Sequence, residues 1–175
     1  MTATHHVRIA GGSAFAEVFD EHFDAVHRYL HRRAGDAAED LAAETFERAL
    51  RAFGTFDARR GPVRAWLFGI ATNVVAAHRR AEGRRLRAYA REAGRRPAAD
   101  DVPDVGAGVD AARQARRAAE ALRALSPEDR DVLLLVAWAD LRYDEVASAL
   151  GVPVGTVRSR LHRARAAVRD HLEGR

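Results

Sequence analysis

The stretch LGVPVGTVRSRLHRARAAVR, residues 150–169, decides the fold. It reads as a tight turn followed by a helix with two chemically opposed faces. At about 100° per residue, Val154, Val157, Leu161, Ala164, Val168 and Leu172 share one narrow apolar stripe. Thr156, Ser159 and Arg163 lie near the opposite side, with Gly155, Arg160 and His162 beside them, and Arg158 and Arg165 flank the stripe. One face can dock on a core while the other presents guanidinium, hydroxyl and imidazole groups outward. A helix that enters a DNA major groove needs that division.

The segment just before it, YDEVASAL at residues 143–150, is a short amphipathic helix with Val146, Ala147 and Leu150 on one side. Gly151 suits a left-handed stop, and Pro153 suits the first turn of the next helix, where its missing N–H costs nothing. Helix, glycine-containing turn and helix together form a helix-turn-helix signature. An ordinary helical hairpin with a solvated basic face is the competing explanation, and the small turn residues with outward arginines favour DNA.

Charge distribution says more than net charge, which is only +4. All 29 basic residues are Arg, a preference that with the abundant Ala reads as GC-rich coding rather than as phosphate forks. Residues 17–50 carry nine acids against four Arg, whereas residues 79–96 carry eight Arg against two acids. Six acids oppose two Arg over residues 126–145, and six Arg oppose two acids over residues 154–175. A chain that bound nucleic acid alone would have little use for the acidic blocks, so a protein partner is expected too.

At 175 residues and 47% hydrophobic, the chain suffices for one ordinary domain or two small ones. It has no Cys, which excludes disulfides and thiolate metal sites. There is no apolar run long enough to span a membrane and no signal-peptide pattern, so a cytoplasmic protein is expected. Apolar positions at Phe15, Val18, Phe19, Phe23, Val26, Tyr29 and Leu30 predict a first helix, with Ser13 as its N-cap. Asp36 is expected to cap a second helix whose buried side holds Leu41, Ala42, Thr45, Phe46, Ala49, Leu50 and Phe53. Pro62 opens a third, with Val63, Trp66, Leu67, Ile70, Ala71 and Val74 inward, and no alternating strand pattern competes anywhere. Residues 94–108 are rich in Gly, Pro and Asp and read as a linker. A helix resumes near Asp110, and Ser126-Pro127 stops it and caps the next. The expected architecture is all-α: a disordered tail (1–12), a helical domain (13–93), a flexible linker (94–111) and a helix-turn-helix domain (112–173).

These residues resemble the extracytoplasmic-function sigma factors, the smallest class of bacterial RNA polymerase specificity subunits. The resemblance runs from about Phe15 to Leu172 and rests on AEDLAAETF (38–46), WLFGIATN (66–73), Arg79-Arg80, ALSPEDRDVLLL (124–135), YDEVASALGVPVGTV (143–157) and RSRLHRAR (158–165). Each piece alone is weak; their order and spacing are specific. The resemblance implies that the first domain is sigma region 2 and the second is sigma region 4. It implies contacts of Glu39, Asp40, Leu41, Glu44, Thr45 and Phe46 with the β′ clamp helices of core RNA polymerase, although Phe46 also reads as core. It implies reading of a melted −10 element by the third helix and the loop before it. Asn73 would supply an amide to a base, Trp66 a core residue or a wedge at the duplex end, and Phe56, Arg59 and Arg60 a cradle. Arg64, Arg79 and Arg80 would meet phosphates. In the second domain Arg158, Ser159, His162 and Arg163 would read a duplex −35 element, Arg163 as the bidentate donor to guanine, with Thr156 and Arg160 on phosphates. Residues 133–138 would mix core with a surface for the polymerase β flap. Promoter DNA, core polymerase and an anti-sigma protein are the implied partners. No covalent step, cofactor or metal is expected.

Two other classes remain open from sequence. A stand-alone regulator of duplex DNA would need neither Asn73 nor the acidic block. A nuclease would need a metal set, and His22, His27, His31, Glu39 and Asp40 form no recognised spacing.

The turn also departs from the family pattern, with Pro153 where a hydroxyl N-cap is often found.

Overall fold

In the computed structural model the backbone is described for residues 3–93 and 109–174, and side chains for 14–91 and 113–174. Residues 94–108, most of the expected linker, lie outside the described residues. Among those described there are seven α-helices and no strand: α1 (Ala3–Ala34), α2 (Ala38–Ala52), α3 (Val63–Ala93), α4 (Val109–Ala124), α5 (Pro127–Ala137), α6 (Tyr143–Leu150) and α7 (Val154–Glu173).

Helices α1, α2 and α3 form the first domain. Their apolar stripes meet in a core of Val26, Tyr29, Leu30, Leu41, Phe46, Leu67, Phe68, Val74 and Val75, each worth roughly 1.5–3 kcal/mol when fully buried. The first helix begins at Ala3, not at Ser13, because the stretch before Ser13 contains no proline and can propagate a helix already nucleated downstream. Asp36 does not cap α2 either. A short 3-10 turn over Gly35–Ala37 joins the helices, and the Ala38 N–H donates to the Gly35 carbonyl in place of a side-chain cap. Leu50, expected inside, is 53% exposed.

In the second domain the sequence punctuation is borne out at Ser126, Pro127 and Gly151, whereas Pro153, expected in the first turn of α7, lies just before it. Ser126 Oγ accepts from the Asp129 N–H at 3.2 Å and starts α5, with Pro127 in the first turn. Gly151 closes α6 at φ +64°, a conformation in which any Cβ is strained. Pro153 sits at the N-cap of α7, where it offers no side-chain bond. Val157, Leu161 and Ala164 of α7 are buried with Val132, Leu134 and Leu135 of α5 and Val146 of α6.

The two domains are docked. Helix α6 lies on α3 so closely that a Cβ at Gly69 would collide with the Ala149 carbonyl. The buried Arg33 guanidinium donates to Asp131 Oδ1 at 2.5 Å and to Tyr29 Oη at 2.6 Å. Tyr29 Oη in turn shares a 2.9 Å bond with Thr72 Oγ1, so one polar network ties α1 and α3 to α5. Burial alone would lower the Arg33 pKa; the Tyr29 hydroxyl and the Asp131 carboxylate outweigh it and hold the guanidinium charged.

Candidate nucleic-acid interface

Helix α7 presents the outward row that its periodicity predicts. Arg158, Ser159, His162 and Arg163 are exposed, and Thr156 and Arg160 are half-buried at its edges. The α7 face opposite them is pinned by Val157, Leu161 and Ala164, so the row cannot turn inward without opening the core. Ser159 Oγ donates to the Thr156 carbonyl at 3.0 Å, which spends its hydrogen within the helix and leaves it an acceptor. Arg163 is held: Nε donates to Asp129 Oδ2 at 3.2 Å and Nη2 to Asp129 Oδ1 at 2.8 Å. Sequence reading named Arg163 and missed Asp129, whose partner lies 34 positions away on another helix.

The first domain carries a second candidate surface. Asn73 is exposed although Thr72, Val74 and Val75 beside it are buried, so its amide faces solvent from a rigid helix. Before that helix, the 53–62 loop folds as two 3-10 turns, Phe53–Thr55 and Ala58–Arg60. Asp57 caps the second turn, accepting from the Arg59 backbone N–H at 3.0 Å and from its guanidinium, and these bonds pull the Asp57 carboxyl below its ordinary range. Arg59 is thereby tied locally, while Arg60 and Arg80 remain exposed. Phe56 and Trp66 are half-buried and lie 5.2 Å apart between ring centroids, with Phe53 packed against both. Trp66 is therefore anchored on the core yet keeps part of its ring at the surface.

Two expected phosphate ligands, Arg64 and Arg79, are engaged elsewhere in this conformation. Arg64 donates to the Ala139 carbonyl and, at 3.3 Å, to the Asp140 carbonyl. These groups follow the C-terminus of α5, where orphan carbonyls attract a cation. Arg79 donates to the Arg33 carbonyl at 2.7 Å, in the last turn of α1. Ser148 Oγ of α6 reaches the Arg60 carbonyl at 2.5 Å, so the second domain sits directly on the loop expected to cradle a base.

The acidic helix α2 divides in two. Glu39 and Asp40 are exposed in its first turn, Glu44 pairs with Arg48 at 2.5 Å, and Glu47 also pairs with Arg51. Leu41, Thr45 and Phe46 are buried, and Thr45 Oγ1 donates to the Leu41 carbonyl at 2.6 Å. Those three shape the helix from inside and do not form its outer surface, which corrects the expectation for Leu41 and Thr45. Among the described residues, no group of three or more His, Cys, Asp or Glu is placed to hold a metal, and no helix is long and apolar enough to cross a membrane.

Comparison with known proteins follows the same division into two domains. Residues 18–85 match the family model for Sigma-70 region 2, and residues 115–168 match that for Sigma-70, region 4. The ECF RNA polymerase sigma factor SigE of Mycolicibacterium smegmatis is 36% identical over 166 residues, covering 89% of this chain and 60% of SigE. SigL of Mycobacterium tuberculosis, also an ECF RNA polymerase sigma factor, is 32% identical over 173 residues, covering 95% of this chain and 96% of SigL. The chain thus spans about three fifths of the length of SigE and nearly the whole of SigL. The fold is similar to that of the sigma factor RpoE from Bartonella quintana, solved with the anti-sigma factor NepR. That likeness has a TM-score of 0.68 at 23% identity over 91% of this chain and 97% of RpoE.

Proposed function

The chain belongs to the extracytoplasmic-function sigma factors of bacterial RNA polymerase, and from that premise we propose that it directs core polymerase to specific promoters. Its second domain reads a duplex −35 element with α7, Arg163 contacting a guanine edge and Arg158, Ser159 and His162 flanking it. Its first domain captures unpaired −10 bases with Asn73, the Phe56 and Trp66 rings, and Arg60 and Arg80. The exposed carboxylates of Glu39 and Asp40, with the Arg48-paired Glu44 one turn on, face a basic surface on the polymerase clamp. Nothing in this scheme needs a covalent step: binding of unpaired bases draws the duplex–open equilibrium toward the open strand.

One observation carries the reading. Two rigid, outward polar sets stand on two separate helical domains, one suited to duplex edges and the other to single-stranded bases. An anti-sigma protein is proposed as a further partner on the strength of the family.

Run-off transcription with bacterial core polymerase on a pool of random promoter fragments tests the function. Specific starts that vanish with Asn73→Ala and with Arg163→Ala are expected. Absence of any start, with duplex DNA still shifted by the protein alone, would replace the reading with that of a stand-alone regulator.

A further inference from the structure

We propose that Asp129 is a positioning residue for −35 recognition, fixing which edge of the Arg163 guanidinium a base pair meets; this rests on the proposed function. A guanidinium has five N–H donors arranged along two usable edges. Asp129 takes one of these edges, accepting from Nε at 3.2 Å and from Nη2 at 2.8 Å. What remains is the end-on edge, one N–H from Nη1 and one from Nη2, and two parallel donors at that spacing match the O6 and N7 acceptors of guanine.

The carboxylate is well seated for this task. Its side chain is 13% exposed, whereas that of Arg163 is 58% exposed, so the holder is sheltered and the held group protrudes. Asp129 lies in the first turn of α5, where the helix dipole favours a negative charge, and its N–H is bonded to Ser126 Oγ. Helix α5 packs directly on α7, so both ends of the bidentate pair stand on one rigid unit. An unheld arginine would have to be ordered at the moment of binding. The ordering cost of one long side chain corresponds to roughly three- to tenfold in preference. The same carboxylate repels phosphate, so an arginine so held is turned from backbone to base contact.

The test combines full-length wild type, Arg163→Ala, Asp129→Asn, Asp129→Ala and the Asp129→Ala/Arg163→Ala double variant with bacterial core polymerase. Each is offered a pool of promoter fragments randomised in the upstream duplex element, and the transcribed fragments are sequenced. Wild type should prefer one base at the position that Arg163→Ala relaxes. Asp129→Ala should weaken that preference roughly three- to tenfold at the same position alone, Asp129→Asn should fall between, and the double variant should match Arg163→Ala. Asp129→Ala with wild-type preference at that position would overturn the proposal. So would a loss spread evenly over all positions that persists in the Arg163→Ala background, since that marks a structural role. If wild type shows no position relaxed by Arg163→Ala, the assignment of Arg163 fails first and takes the proposal with it.

Discussion

Asn73 stands exposed on a helix whose adjacent side chains are buried, so its surroundings give no folding reason for an amide. Asn73→Ala should therefore change unfolding free energy by less than about 0.5 kcal/mol in urea titrations. Transcription from its promoters should fall about tenfold, as for the loss of one base contact. A comparable loss of stability would mean that Asn73 is structural. His22 gives a different kind of test. Burial lowers its pKa below the ordinary 6.5; Glu21 opposes the shift and Arg64 adds to it. The folded state thus prefers neutral His22. Its contribution is intact above pH 6.5 and is lost as pH falls through the lowered folded value. As pH falls below 6.5, wild type should lose stability more steeply than His22→Leu, as followed by thermal unfolding at each pH. At this scale the outward residues of α7 were legible because a 3.6-residue period sorts them without knowledge of any other helix. Arg64, Arg79 and Asp129 were not, because their partners are carbonyls and a guanidinium on other elements, and no sequence spacing encodes such a meeting.

The unit of α5, α6 and α7 was written in the sequence by its punctuation. Ser126, Pro127 and Gly151 act through local backbone chemistry, and each does locally what its residue type does best. Ser126→Ala should cost about 1 kcal/mol through loss of the α5 cap, read as a lower urea midpoint with unchanged slope. Gly151→Ala should cost about 1–2 kcal/mol, because the left-handed turn at φ +64° must then hold a Cβ. If neither substitution moves the midpoint, this unit is held by its apolar contacts alone. Helix starts in the first domain were less legible. The link between α1 and α2 satisfies its amides through a 3-10 turn, so Asp36, a good cap by type, has no capping work left. The start of α1 at Ala3 likewise depends on propagation from a strong downstream helix rather than on a signal at Ser13.

Between the domains the decisive contacts are polar and small, which is why two separate helical units were the natural reading of the sequence. Gly69 and Ala149 allow close approach because they have little side chain, and a helical pattern gives such residues no distinctive mark. The docking places α6 on the 53–62 loop and diverts Arg64, so the same contacts that stabilise this arrangement occupy part of the −10 surface. The Arg33–Asp131 pair is the most exacting of them. Arg33 has a side chain 2% exposed, and its Nε is buried without a hydrogen-bond partner. Removing Asp131 would leave a buried cation with Tyr29 as its main ligand, at a cost of about 3 kcal/mol. The chain can avoid that cost by separating its domains and hydrating Arg33. Asp131→Ala should therefore widen the distance between the two domains more than it unfolds either one. The chain has no cysteine, so spin labels at Ala43→Cys and Ala167→Cys, both exposed positions, report that distance cleanly. A single narrow distribution in wild type should broaden toward longer distances in Asp131→Ala, with helical content by circular dichroism unchanged. A distribution that stays narrow would show that α6 packing on α3 holds the domains together without the ion pair, and the pair's cost would then appear as lowered thermal stability of the docked form.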